Sequence, residues 1–455
     1  MLLSPYDPPV AAADGPDPFL SYSMTSLPQL KTTDKTLDRA LRIAIGDLSG
    51  NICPFQDGLL DEPKPCLLAG LEYNTPWTRD AALNTWYGLG LLSPHVAKNT
   101  LLSVLRRDEK GTLRIGGEYW DAIIWAQGAW QYYLYTGDRA FLETALPAVK
   151  NSLVYFEETE RDPADGLFRG GACFQDGIAA YPDFFAPNDP KIFYSGITGW
   201  LNKAGVVPAK PGVGIPCKAL STNCLYYRAY RIAGLMAKEL GLARDSTLEK
   251  KAEAIHQAIN QQFWSEELGT YRYLVDAPGN DDRQEGFGLA FALLFGVADD
   301  AQAKRIFEKI HLVPHGMPCV WPTYDRYTAN GEYGRHSGTV WPQVNAAWAL
   351  ACHARGRTDL ALHELKLLAE KASRDNEFVE VYHPDTGIPY GGMQEDPNGK
   401  MERFGLCHRQ SWCASGYIAM TLVTRLGLDI TTDQLIPPAA RDKILAQLPK
   451  LTFQE

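Results

Sequence analysis

The sequence predicts an all-α fold in which six α-hairpins close into a ring, with long loops gathered at one end. Apolar residues recur at three- and four-residue steps through most of the chain, as in Leu225, Ala229, Ile232, Met236 and Leu240; this is the spacing of a helix face turned to a core. Strand-like alternation is scarce. The helical stretches follow one another between Gly, Pro and Asn clusters. Three long Gly- and aromatic-rich connections interrupt them, Asp162 to Ser221, His311 to Gly338 and Asp375 to Cys407. Connections of that length inside a compact domain are either functional or disordered, and these carry Trp, Tyr, Asp and Glu. Periodicity alone does not separate a ring from an α-solenoid. No fixed repeat of the tetratricopeptide or HEAT kind is present, which counts against the solenoid.

In order along the chain, the Pro- and Asp-rich opening MLLSPYDPPVAAADGPDPFLSYSM reads as an extended arm over residues 1–30, and residues 31–455 as one catalytic domain. Helical patterns follow over 35 to 48, 78 to 92, 122 to 135, 139 to 158, 222 to 240 and 246 to 263. Later ones run over 286 to 295, 301 to 310, 340 to 354, 358 to 371 and 410 to 426. A length of 455 residues could hold two or three average domains, yet rings of α-hairpins use this much chain as one unit.

Composition narrows the partners. A formal net charge of −10 argues against nucleic acid or an anionic membrane surface, since both select a basic face. The 11 Trp and 22 Tyr suit stacking on the C–H faces of sugar rings, although large helical cores use aromatics too. The 9 Cys are scattered, with no CxxC pair and no zinc spacing, so reduced thiols in the cytoplasm are expected and no metal or organic cofactor. No basic n-region with an apolar h-region opens the chain, and no 18-residue apolar run occurs.

Six motifs carry polar chemistry. Trp77-Thr78-Arg79-Asp80 leads into a helix, where a guanidinium fork and a carboxylate could grip adjacent hydroxyls; an ordinary helix-start charge pair reads the same way. Trp120-Asp121 opens the next helix, and Asp121 alone would pass for an N-cap. Gln175-Asp176-Gly177 lies in the longest loop beside Phe174, where a carboxyl is open to desolvation; Asp-Gly is also a common turn. Arg335 to Gln343 makes a tight Gly turn into a helix bearing Trp341, either a sugar platform or a core aromatic. In Phe378-Val379-Glu380-Val381-Tyr382 a lone acid sits between valines, an expensive placement without a task. His408-Arg409-Gln410-Ser411-Trp412 opens the last long helix.

Together, in order and spacing, these motifs resemble those of the (α/α)6-barrel inverting glycosidases. Trp77 to Asp80 is similar to the Trp-x-Arg-Asp sugar-binding motif of glucoamylases and of the amylo-α-glucosidase part of glycogen debranching enzymes. Asp121 to Trp125, Gly338 to Pro342 and Gln410 to Trp412 have counterparts there as well. Glu380 to Gly387 resembles a stretch shared by the family 63 and family 37 α-glycosidases. The resemblance spans roughly Leu67 to Leu426. It implies an (α/α)6 barrel, with Asp176 as general acid, Glu380 as general base, and Trp77, Arg79, Asp80, Trp120, Asp121, Trp341, Gln343, Tyr382 and Trp412 around the sugar. Gln175-Asp176-Gly177 matches the acid motif loosely, and Asp121 is the first alternative acid. With no β-domain ahead of the motifs, the chain resembles the compact bacterial members that cleave small glycosides.

The reading is therefore an inverting, exo-acting hydrolase of a small α-linked glucoside or mannoside. Three alternatives share the barrel: a sugar isomerase or epimerase working through His336, His383 or His408, an inverting phosphorylase, and a non-catalytic sugar-binding protein.

Overall fold

The computed structural model describes residues 34–117, 120–174, 177–182, 217–275, 279–328, 331–395 and 400–448, without the side chains of Trp120 and Glu395. The expected arm over residues 1–30 lies outside them. Helices alternate between an outer and an inner set. The outer helices are α1 (Lys35–Gly50), α3 (Pro94–Ser103), α5 (Arg139–Thr159), α7 (Ser246–Gln262), α9 (Asp300–Lys309) and α11 (Thr358–Asp375). The inner ones are α2 (Thr78–Asn84, running on through a π-turn at Thr85–Leu89), α4 (Trp120–Thr136), α6 (Leu220–Glu239), α8 (Gly286–Leu294), α10 (Pro342–Ala354) and α12 (Ser411–Thr424). Each inner helix packs on the next, and α12 packs back on α2, so the ring closes.

Burial explains the sorting. In α7 only a stripe is buried, Leu248, Ala252, Ile255, Ala258 and Ile259, which suits a helix with one wet face. In α10 every residue from Pro342 to Cys352 is buried, as it must be where both flanks and the lumen are protein. The inner helices can approach closely where side chains vanish: a Cβ on Gly128 of α4 would stand 2.6 Å from the Ala82 Cα of α2.

Chain direction decides where the chemistry goes. An inner helix leaves through a turn of one to six residues into its outer successor. Four of these turns carry a glycine with positive φ, Gly137, Gly241, Gly296 and Gly356, the conformation that ends a helix most cheaply in glycine. Asp138, Asp245 and Asp299 then cap the next outer helix through their carboxylates. Every inner helix is instead entered through a long segment, so all six inner N-termini and all the long loops share one end. Among the described residues, the β-strands form six two-stranded ribbons in those loops.

An aromatic column runs down inside the ring. Trp412 meets Phe174 edge-on at 5.2 Å between centroids, and Phe174, Phe287, Phe291 and Phe295 follow at 4.7, 5.0 and 5.1 Å, ending on Trp86 at 6.2 Å. Phe287, Phe291 and Phe295 lie four residues apart and so share one face of α8. The far end is closed by the segment after α12. There Arg228 forks onto Asp433 at 2.9 and 2.6 Å, and Trp130 Nε1 donates to the same carboxylate at 2.8 Å.

The α2–α4 crossing supplies a test of this packing. Gly128→Val should destabilise the protein by about 1–3 kcal/mol through overpacking, read as a lower thermal melting temperature. An unchanged melting temperature would show that the two inner helices have slack.

Candidate active site

The loop end of the ring collects the polar residues expected from the sequence. Thr78 Oγ1 donates to the Gly116 carbonyl at 3.0 Å, which pins the loop ahead of α4 to the start of α2. That brings Arg79 between two carboxylates: its Nε lies 4.0 Å from Asp80 Oδ2 and its Nη1 3.6 Å from Asp121 Oδ1. The same guanidinium stands 5.6 Å from the Trp77 ring. Burial pushes the Asp80 carboxyl well above the usual carboxylate range. Arg79 and a hydrogen bond with Gln410 pull against that shift, while neighbouring Asp121 and Glu380 reinforce it.

Glu380 lies on an extended segment held from both sides. Phe378 takes the N–H of Gln410 and gives its own N–H to Asp47 Oδ2, and the Glu380 N–H donates to the Cys407 carbonyl at 3.0 Å. Its carboxylate is buried at 3% exposure. The two oxygens differ. Oε2 receives Arg335 Nη2 at 2.9 Å and the Cys407 N–H at 3.2 Å, whereas among the described residues Oε1 receives only the Tyr73 hydroxyl, at 3.5 Å. Arg335 is fixed in turn by the Gly391 and Gly405 carbonyls at 2.9 and 3.0 Å, with the Trp341 ring 5.1 Å and the Phe404 ring 5.6 Å away.

The remaining expected residues divide between this pocket and its backing. Trp412 and Gln343 sit at the starts of α12 and α10, both buried. Trp341 is buried behind Arg335: its Nε1 donates to the Arg335 carbonyl at 2.8 Å and its ring stacks on His336. Tyr382 is fully buried, its hydroxyl taking the Val379 N–H at 3.3 Å. The side chain of Trp120 and all of Asp176 lie outside the described residues.

The described segments before and after Asp176 in the chain are both tied into the ring. Before it, Ala172 N–H donates to the Tyr181 hydroxyl at 2.9 Å, and Cys173 N–H to Ser221 Oγ at 3.0 Å. Phe174 has φ of 62°, a left-handed conformation uncommon outside glycine. After it, a 3-10 turn at Ile178–Ala180 is held by Arg326, whose Nη2 donates to the Ile178 carbonyl at 2.9 Å.

Among the buried polar atoms at this end with no hydrogen-bond partner among the described residues are Asp80 Oδ1, Trp77 Nε1, Gln343 Nε2 and Trp412 Nε1. An orphaned buried polar atom costs about 1–3 kcal/mol, so a cluster of them needs a reason. One acceptor and three donors form the complement of a polyhydroxylated ligand, each of whose hydroxyls both donates and accepts.

Glu285, next to this pocket, is not conspicuous in the sequence, where Gln284-Glu285-Gly286 reads as a helix start. It is 1% exposed. Ser221 N–H donates to its Oε2 at 3.1 Å, and Oε1 has no partner among the described residues. Burial pushes its carboxyl up to about 8, with the Ser221 hydrogen bonds pulling the other way. Arg335 and Tyr73 also escape a sequence reading as partners of Glu380, because nothing local ties them to a carboxylate 45 and 307 residues away.

Comparison with known proteins places the chain. The profile of the mannosylglycerate hydrolase MGH1-like glycoside hydrolase domain matches residues 76–396. Among solved structures, a family 63 mannosylglycerate hydrolase from Thermus thermophilus, in complex with Tris and D-glycerate, superposes with a TM-score of 0.64 at 17% identity, covering 84% of this chain and 100% of that one. A rhamnosidase from Klebsiella oxytoca with rhamnose bound reaches 0.53 at 13% identity, covering 88% and 66%. Neutral trehalase from Saccharomyces cerevisiae reaches 0.53 at 14% identity, covering 88% and 80%. At these identities the likeness is one of fold, and it agrees with the closed ring of helix pairs. No match is found among curated proteins.

Glu285 gives the site a pH signature. Its folded pKa of about 8 lies above the ordinary glutamate range. Stability that rests on its neutral form is therefore complete in acid and is lost as pH rises from about 4 toward 8. Glu285→Gln should melt close to the native protein at about pH 5 and a few degrees above it near pH 8.5. A gap that does not change with pH would contradict the assignment.

Proposed function

Because the chain belongs to the mannosylglycerate hydrolase MGH1-like glycoside hydrolase family, we propose that it hydrolyses a small α-linked mannoside or glucoside with inversion, using Glu380 as general base and Asp176 as general acid. The observation that carries this is the asymmetry of the Glu380 carboxylate. Arg335 and the Cys407 N–H anchor Oε2, while Oε1 accepts one long hydrogen bond from Tyr73 and has lone pairs for a water. A base needs both a fixed orientation and an oxygen available to the proton it takes.

In this reading the released sugar sits among Trp77, Arg79, Asp80, Asp121, Gln343 and Trp412, and the unpartnered atoms of Trp77, Asp80, Gln343 and Trp412 bind its hydroxyls. Water between Glu380 and the anomeric carbon gives its proton to Oε1 as its oxygen bonds to that carbon. The glycosidic C–O bond breaks with its electron pair on the leaving oxygen, and Asp176 supplies the proton there. Direct displacement leaves room for the water when the two carboxyl groups stand about 6.5–9.5 Å apart. The family name and the D-glycerate of the Thermus protein make mannosylglycerate the first substrate to test.

The alternatives find less support. Isomerase chemistry needs facing histidines, but His408 Nδ1 pairs with Glu377 at 2.9 Å, His383 Nδ1 accepts the Asp385 and Thr386 N–H groups, and His336 stacks on Trp341. A phosphorylase keeps the acid and seats phosphate in place of the base, yet here a carboxylate occupies Arg335.

Mannosylglycerate, glucosylglycerate and trehalose, followed by proton NMR, test the proposal. The native enzyme should release the β-anomer first from at least one of them. Glu380→Gln should lower turnover by about 10²–10⁴-fold. Initial release of the α-anomer, or a Glu380→Gln variant of undiminished activity, would overturn the mechanism.

A further inference from the structure

Gln394 is fully buried on a short strand, Met393–Glu395, that pairs with Met401–Arg403. Two successive residues of this strand touch two different arms of the site. On one side, Arg335 N–H donates to the Met393 carbonyl at 2.9 Å, and Arg335 is the residue that anchors Glu380. The neighbouring Gly392 is pressed against the same arginine: a Cβ there would stand 2.2 Å from the Arg335 Cα. On the other side, the Gln394 side chain lies against the turn that follows Asp176. Its Oε1 accepts the Ala179 N–H at 3.5 Å, and a Cβ on Gly177 would come within 2.0 Å of that oxygen. Gly177 is bonded directly to Asp176.

A residue that merely filled this space would be cheaper as an apolar side chain of the same size. The Gln394 Nε2 is buried with no hydrogen-bond partner among the described residues, and a buried amide half-satisfied in this way is a cost that packing does not explain. Its Oε1, by contrast, is placed on the acid-side turn. The strand therefore spans the two arms whose separation inversion depends on, with a backbone contact to the base side and a side-chain contact to the acid side.

We propose that Gln394 is a positioning residue for proton delivery: through Gly177 and Ala179 it braces the turn that follows Asp176 in the chain, and so supports the proton transfer assigned to that acid. The inference rests on the functional reading above, with Asp176 as the acid. Gln394 touches no reacting atom. Its effect should therefore appear only where the acid is needed, in breaking the bond to a poor leaving group.

Substrates that differ in that need supply the test. From mannosylglycerate and glucosylglycerate the leaving group is a glycerate alkoxide that requires the proton, whereas α-mannosyl and α-glucosyl fluoride release fluoride with little help from an acid. Gln394→Met keeps the volume and removes the amide; Gly177→Ala presses on the same contact from the opposite side and carries the test if the first variant does not fold. Each should lower kcat on the glycerate glycoside by about ten-fold or more and on the matching fluoride by less than about three-fold, with KM little changed. Equal losses on both substrates would mark Gln394 as purely structural, and no loss on either would remove it from the site. Asp176→Asn separates this inference from the reading beneath it: if that variant keeps full turnover of the glycerate glycoside, the acid assignment fails whatever Gln394 does. A native enzyme that cleaves neither class of substrate overturns both.

Discussion

Closure of the inner ring is the constraint on which the rest of the molecule depends. Six inner helices entered from the same end bring six sets of unpaired backbone N–H groups, and the positive ends of six helix dipoles, to one face. At the opposite face five of those helices leave through short turns, and the segment after α12 lies across the end, tied down by the Arg228–Asp433 fork. Carboxylates therefore gather at the first face. Asp80 and Asp121 stand in the first turns of α2 and α4, Glu285 precedes α8, and the Gln410 side chain accepts the Trp412 N–H at the head of α12.

Burial then divides that polar set into two kinds of group. A helix N-terminus is worth about 0.3–1 kcal/mol to an anion, whereas taking a carboxylate out of water costs several kcal/mol. At Asp80 the second effect wins over the first and over Arg79, and the carboxyl is pushed well above the usual carboxylate range. Glu380 is buried just as deeply, but its Oε2 faces an arginine that two backbone carbonyls and two aromatic rings hold in place. Satisfied polar contacts concentrate on the Glu380–Arg335 pair. Asp80, Trp77, Gln343 and Trp412 instead each keep a buried polar atom with no hydrogen-bond partner among the described residues.

Most of the fold was legible because apolar residues recur at helical steps in outer and inner helices alike, as at Leu225, Ala229, Ile232 and Met236 of α6. The exception is Pro94–Ser103, whose buried positions are Val96, Ala97, Thr100, Leu101 and Ser103. With small and hydroxyl-bearing residues on its inner side, that helix has little contrast between faces. The ribbons of two to four residues were too short for alternation to show. Among the candidate site residues, Glu380 and the Arg79–Asp80 pair stand out in the sequence, since an acid between valines and a charge pair at a helix start are local oddities. Arg335, Tyr73, Glu285 and Gln394 were not, because each acquires its role from a partner brought near only by ring closure. For Trp341 and Tyr382 sequence does not tell an open ring from a buried one, and the structure buries both.

Two points of backbone strain meet at this end of the ring. Phe174 at φ 62° and Arg409 at φ 44° are both left-handed without being glycine, a conformation that costs about 1–3 kcal/mol and persists only when its surroundings over-determine it. The surroundings here do so. The Phe174 ring is held between Phe287 and Trp412, and Arg409 gives its N–H to Glu377 while its carbonyl takes Asn51 Nδ2 at 2.7 Å. Both lie within three residues of a residue in the site, Asp176 in one case and Trp412 in the other. The Phe174–Trp412 contact joins the two strained segments and also tops the aromatic column, whose lower members are packed inside the ring down to Trp86. Any relaxation of either strained residue must therefore move rings that the closed barrel holds still. The packing that closes the ring is thus also what keeps the ends of its loops in strained positions.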